Sequence, residues 1–162
     1  MNAQEIIMKR STIAKTFTIA AVTALALGIA PAAKADDKGC TNATLRGTFA
    51  YTMTGFIMAP PAFAGPFAEV GTQTFDGKGA TTAAATLSQN GNIIPITITG
   101  TYKVNPDCTG TLTLLVAPFG VTVHNFFVID GSGTELQAIE TEPGVVITKI
   151  YRRQFPAGDW RN

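Results

Sequence analysis

His124 is the only histidine of the 162-residue chain, and imidazole is the side chain whose ordinary pKa lies nearest neutrality. It sits in Val121-Thr122-Val123-His124-Asn125-Phe126-Phe127. There it is either a general base or hydrogen-bonding group at a cavity mouth, or a strand residue facing outward, opposite in parity to Val121 and Val123. Glu69, Glu140 and Glu142 offer a second chemistry. Two carboxyl groups facing one cavity separate their pKa values and become an acid/base pair, whereas glutamates scattered over a surface only solvate it. Glu69, His124 and Glu140 are therefore the candidates for acid/base catalysis, although no motif joins them. Arg152-Arg153 puts one guanidinium on each face of a strand, the inward one anchoring a carboxylate or pairing with a glutamate. The chain has no Gly-x-Ser-x-Gly, phosphate loop, His-Glu-x-x-His, nucleotide fingerprint or EF-hand loop. Nothing in it calls for a cofactor or a metal.

Binding is the other chemistry on offer. Tyr51, Tyr102, Phe49, Met53, Phe75, Phe126, Phe127 and Tyr151 supply aromatic and soft apolar walls. In a small barrel such residues either fill the interior or line a cavity for one small ligand. Tyr51 and Tyr102 from strands, with Phe63 and Phe119 from loops, are the candidate ligand-binding residues.

The amino terminus has the three parts of a secretory signal. Lys9, Arg10 and Lys15 are basic, Thr16 to Ala33 carries no charge, and Ala33-Lys34-Ala35 is a small-x-small cleavage pattern. Residues 1–35 are expected to be removed, leaving a single domain, 36–162, in the periplasm or outside the cell. Nothing later is apolar for long enough to span a membrane. That domain has 8 Lys and Arg against 10 Asp and Glu, a net of −2, while the whole chain is +1. A near-neutral domain lacks the basic field that nucleic acids and anionic membranes require. An oxidising compartment makes a disulfide between Cys40 and Cys108 the default. There is no Cys-x-x-Cys, and His124 has no zinc-site spacing to either cysteine. Asn42-Ala43-Thr44 matches the glycosylation sequon.

After Arg46, short runs of Thr, Val, Ile and aromatics alternate with Gly, Asn, Asp and Pro, a strand-and-turn rhythm. Eight strands are predicted: Gly47 to Met58, Phe67 to Phe75, Ala80 to Ser88, Ile93 to Val104, Gly110 to Val116, Val121 to Ile129, Thr134 to Glu140 and Val145 to Arg153. In the fourth, Ile94, Ile96, Ile98, Tyr102 and Val104 share one face and threonines the other. Pro95 lacks a ladder donor, which suggests that this strand begins at Ile96. Short links make a meander, and a meander of this size disposes of its edges by closing into an eight-stranded antiparallel up-and-down barrel. A β-sandwich is the alternative. Links in a meander alternate between two ends. Cys40, Cys108 and the Asp-Gly turns at 76–79 and 130–133 fall at one end. Segments 59–66, 89–92, 117–120 and 141–144 fall at the other, with the Pro-rich loops, Phe63 and Phe119. The second end is where a barrel would open.

Leu45-Arg46-Gly47-Thr48-Phe49-Ala50-Tyr51-Thr52-Met53-Thr54-Gly55-Phe56 forms one motif, and Glu69 to Gly77, Gly100 to Leu112 and Arg152-Arg153-Gln154 form three more. Together they resemble a group of small exported bacterial proteins of unassigned function, similar in pattern to lipocalin-like or allene-oxide-cyclase-like barrels. The resemblance implies a fold and an address and transfers no catalytic residue. Three functions fit: a barrel binding a small apolar ligand, a cofactor-free isomerase or cyclase using the same cavity, and a structural or adhesive envelope protein with a filled interior.

Overall fold

The computed structural model describes residues 39–155; the expected signal segment and Trp160 lie outside them. A 3-10 turn, Asn42–Leu45, leads into β1 (Gly47–Ile57). A second 3-10 turn, Pro61–Phe63, precedes β2 (Gly65–Phe75). Then follow β3 (Ala80–Gln89), β4 (Asn92–Val104), β5 (Thr109–Ala117), β6 (Val121–Ile129), β7 (Glu135–Glu140) and β8 (Val145–Arg153). All eight predicted strands are present. Each pairs antiparallel with its successor, and β8 returns to β1 from Phe49↔Arg153 to Ile57↔Val145. The barrel is thus closed, and the sandwich alternative does not form. Among the described residues no helix is long and apolar enough to cross a membrane.

Several strand limits differ from expectation by one or two residues, and that of β4 by more from the Ile96 start; two of the differences have clear local reasons. β4 runs through Pro95 and begins at Asn92, because pairing with β5 starts only at Thr97↔Ala117. The missing donor therefore lies where β4 has a neighbour on one side alone. β7 begins one residue late because the Asp130 carboxylate accepts the Thr134 and Glu135 N–H groups, both at 2.8 Å, and prolongs the turn. These hydrogen bonds, led by that of the Ser132 hydroxyl, hold the Asp130 carboxyl down at about 2.

Alternation with period two sends Phe49, Tyr51 and Met53 of β1, and Ile96, Ile98, Tyr102 and Val104 of β4, into a common core. Close packing demands glycine at several inward positions, Gly100 and Gly71 among them. A Cβ on Gly100 would lie 2.2 Å from the Thr113 carbonyl oxygen, and one on Gly71 2.5 Å from that of Ala84. These are points where the curved wall brings neighbouring backbones too close for any side chain.

One end is stitched shut. Leu45 is fully buried as a plug. Asn42 is tied at both side-chain atoms, accepting the Val104 N–H at 2.8 Å and donating to the Lys78 carbonyl at 3.3 Å. It is therefore a structural residue here. The inward arginine is Arg153; it stacks 4.5 Å over the Phe49 ring and donates to the Thr44 and Gly133 carbonyls, both at 2.9 Å. Backbone carbonyls, and no glutamate, are its partners, while outward Arg152 meets Glu135 at 3.2 Å. The Cys40–Cys108 disulfide ties the segment before β1 to the β4–β5 turn, with a Cα–Cα distance of 4.9 Å.

This bond closes 68 residues, for which chain entropy gives about 4 kcal/mol. A Cys40→Ser/Cys108→Ser double variant is expected to lose stability of that order in denaturant titration, and reductant is expected to lower wild type to the same level.

Candidate functional site

The interior is filled at the stitched end and hollow at the other. Phe49, Phe75, Leu112, Phe127 and Leu136 pack the stitched half. Beyond them lies a cavity of about 360 Å³, within the usual range for small-molecule sites. Its walls are Met53, Ile57, Phe67, Leu87, Ile96, Ile98, Leu114, Val116, Val123 and Ile147. At the mouth stand Ala59, Pro60, Phe63, Phe119 and Pro143. The Phe63 and Phe119 rings meet edge to face at 6.4 Å. The loop carrying Phe63 is braced on the β3–β4 turn, where Asn90 donates to the Ala64 carbonyl at 2.6 Å and Gln89 donates to the Phe63 carbonyl.

A layer of polar groups separates the two halves. Met53 of β1 is in register with Glu69 of β2 on one side and Lys149 of β8 on the other. Both ionisable residues point inward and are buried, at 7% and 3% exposure. Lys149 Nζ lies 3.6 Å from the Tyr51 ring centroid and 4.8 Å from that of Tyr151, and donates to Gln73 Oε1 at 3.3 Å. Tyr151 donates to the same oxygen at 3.0 Å. Gln73 in turn donates to Thr81 Oγ1 at 3.0 Å, and Thr81 to the Thr74 carbonyl at 2.8 Å. Tyr51 donates its hydroxyl to Glu69. Burial, reinforced by the Glu69 charge, pushes both tyrosines far above their ordinary range, so they keep the protons they donate. Burial pushes Lys149 down to about 8, against the pull of Glu69 and Glu140. The cation is held by two aromatic faces and one amide oxygen.

The remaining polar groups gather where β6 and β7 part. Their ladder stops at Asn125↔Glu140, although β6 continues back to Val121. Beyond it, Thr141 donates to the His124 carbonyl at 2.9 Å. Glu142 Oε1 accepts the His124 backbone N–H at 2.7 Å and lies 2.7 Å from the ring Nδ1. Glu142 thus stands in for the missing strand. Asn125, Glu140 and Glu142 all line the cavity. Burial pushes the Glu140 carboxyl up to about 7, reinforced by Glu142 and Glu69 and opposed by Lys149.

Of the sequence-derived candidates, Glu69 and Glu140 face the cavity together. His124 does not: its side chain points outward, 56% exposed, and touches the site only by holding Glu142. The general-base reading of His124 is corrected accordingly, because β6 register gives the interior to Val123 and Asn125. Phe63 and Phe119 form the mouth, and Tyr51 lies beneath the lining under Lys149. Tyr102 is far from the cavity, at the stitched end, where its hydroxyl accepts the Gly77 N–H at 2.8 Å and donates to the Asn42 carbonyl at 3.1 Å. Its place in a ligand site is likewise corrected; the apolar face of β4 runs the whole barrel length, and Tyr102 falls on its closed half. Lys149, Asn125 and Gln73 escaped notice. The signal for each was parity: Lys149 lies between Ile147 and Tyr151 on one strand face, and Asn125 between Val123 and Phe127.

No protein-family model and no curated protein matches the chain. Among solved structures, a redesigned β-barrel, b11L5F_LGL, is 19% identical with a TM-score of 0.52, over 70% of this chain and 95% of its own. A redesigned β-barrel, mFAP1, bound to DFHBI, is 22% identical with a TM-score of 0.52, over 69% of this chain and 97% of its own. At these identities the likeness is one of fold, the small closed eight-stranded barrel.

The Glu140 shift makes stability depend on pH. The folded chain keeps a proton that the unfolded chain releases between about 4.5 and 7, so this group's contribution falls as pH rises through that window. Lys149 acts in a higher window, where stability grows between about 8 and 10.5 because the unfolded chain still holds a proton that the folded chain has released. Glu140→Gln is expected to have a higher denaturant midpoint than wild type at pH 7.5 and an equal one at pH 4.5.

Proposed function

We propose that this protein is an exported binding protein that holds a small, mainly apolar molecule in the open half of its barrel. The observation that carries this reading is the cavity of about 360 Å³, apolar on nearly every wall and entered between Phe63 and Phe119. A structural or adhesive barrel would have its interior filled, as the stitched half is. The similar barrel mFAP1 is bound to DFHBI, which supports ligand holding as a use of this architecture. Export rests on residues 1–35 and on the Cys40–Cys108 bond, which an oxidising compartment preserves.

A cofactor-free isomerase or cyclase is the second reading. One observation favours it: Glu140, near 7, is poised to exchange a proton with a cavity occupant at neutral pH. Recovery of a bound molecule unchanged after prolonged incubation separates carriage from conversion.

A neutral apolar fluorophore, N-phenyl-1-naphthylamine, is expected to bind saturably at one site per chain. Val116→Trp, which fills the cavity from β5, is expected to weaken binding at least tenfold with an unchanged circular dichroism spectrum. Absence of saturable binding to wild type would overturn the proposal. In a bacterial secretion host, amino-terminal sequencing of the exported form is expected to begin at Asp36.

A further inference from the structure

The seam between β6 and β7 holds two buried acceptors without a partner, beside the Glu140 carboxyl. Asn125 is 3% exposed, and its amide nitrogen is committed to the His124 carbonyl at 3.0 Å. That carbonyl fixes the amide orientation, since a flipped side chain would set oxygen against oxygen. Asn125 lines the cavity, and its Oδ1 is buried with no hydrogen-bond partner. Glu142 spends Oε1 on His124, leaving Oε2 buried and without a partner. Glu140 stands directly opposite Asn125 in the β6–β7 register and lines the same space. Buried acceptors left unmet cost free energy that an occupant bringing donors recovers.

The charge balance points the same way. Three carboxyl groups, Glu69, Glu140 and Glu142, line the cavity against one amine. That amine does not serve the seam, for Lys149 is drawn to Gln73 and to the faces of Tyr51 and Tyr151.

We infer that the seam formed by Asn125, Glu140 and Glu142 is the head-group subsite for an ammonium, and that the occupant of the cavity is an amphiphilic amine: an apolar body on the barrel walls and a cationic nitrogen among these three acceptors. The inference deepens the proposed binding function and rests on it. An ammonium carries three N–H donors and no acceptor, enough for the two unmet oxygens and the Glu140 carboxylate. A carboxylate or phosphate head would set acceptor against acceptor in a low-dielectric space. A hydroxyl would satisfy one oxygen and leave the repulsion among the carboxyl groups in place.

Ammonium binding favours the charged form of Glu140. Because this carboxyl lies near 7 when the cavity is free, binding is expected to weaken as pH falls from 8 to 6. The groups facing Glu140 are Glu142 from the following turn, Glu69 from β2, Lys149 from β8 and Asn125 from β6. His124 reaches it only through Glu142.

The test uses the purified full-length chain and three probes of equal chain length: n-octylamine, 1-octanol and octanoate. Isothermal titration at pH 8 is expected to give octylamine at least a tenfold advantage over octanol and a larger one over octanoate. Glu140→Gln and Asn125→Leu are each expected to cut that advantage to threefold or less, octylamine losing far more affinity than octanol. The fall in octylamine affinity between pH 8 and 6 should persist in His124→Gln and vanish in Glu140→Gln. Octanol or octanoate binding as tightly as octylamine would overturn the head-group assignment and leave the apolar cavity standing. Failure of all three probes to bind would overturn the cavity reading itself.

Discussion

Pairing of β1 with β8 is the constraint on which the rest of this molecule depends. Once that ladder closes, the sheet has no free edge, and the period of two sends every second residue into an interior of fixed size. A side chain on an inward position then has two options. It fills volume, or it borders volume left empty. An open sheet could turn a polar residue to solvent by twisting or fraying at its margin. Here Glu69, Asn125, Lys149 and Gln73 are inside because their strand neighbours are.

That constraint explains why the buried polar groups form a layer. A lone ammonium or carboxylate in an apolar core is too costly to keep charged without partners. The inward polar residues of β1, β2 and β8 lie at one depth, joined through Met53 in the register, so Lys149, Gln73, Tyr51, Tyr151 and Glu69 can satisfy one another. The layer also marks where filling stops. Towards the stitched end the aromatic residues are large and interlocked, with Phe75 edge to face against both Phe49 at 5.5 Å and Tyr102 at 5.1 Å. Towards the mouth the inward residues are mostly aliphatic, and space remains.

Much of the architecture was legible from residue order alone, because the turn chemistry of Asp76-Gly77, Asn90-Gly91, Asn105-Pro106 and Asp130-Gly131 is local and the alternation is strong. Which end opens was legible too, since link parity in a meander follows from counting. The site was only half legible. Glu69 and Glu140 could be named as carboxyl groups, but Lys149 belongs to no motif, and only β8 parity with Ile147 and Tyr151 marks it as inward. Tyr102 shows the opposite failure: its inward face was evident, but its depth along the barrel axis depends on strand stagger, which no single strand reveals. His124 depended on register in the same way. The β6–β7 seam had no signature at all, since it arises from β7 being only 6 residues long beside a β6 of 9.

That short strand ties stability to function. A longer β7 would extend the ladder past Asn125↔Glu140 and give the His124 N–H a backbone acceptor. Instead a glutamate side chain takes the place of the strand, and two carboxyl groups are brought together beside a buried amide. Burial, and after it the repulsion of Glu142, pushes the Glu140 carboxyl up, an unfavourable term the barrel carries at neutral pH. Features that weaken a fold without compensating contacts persist most readily where a site needs them. Here the weakening falls at the seam, the part of the polar wall where two acceptors have no partner. The rest of the cavity could hold any small apolar molecule; the seam is the part of the wall that can select one.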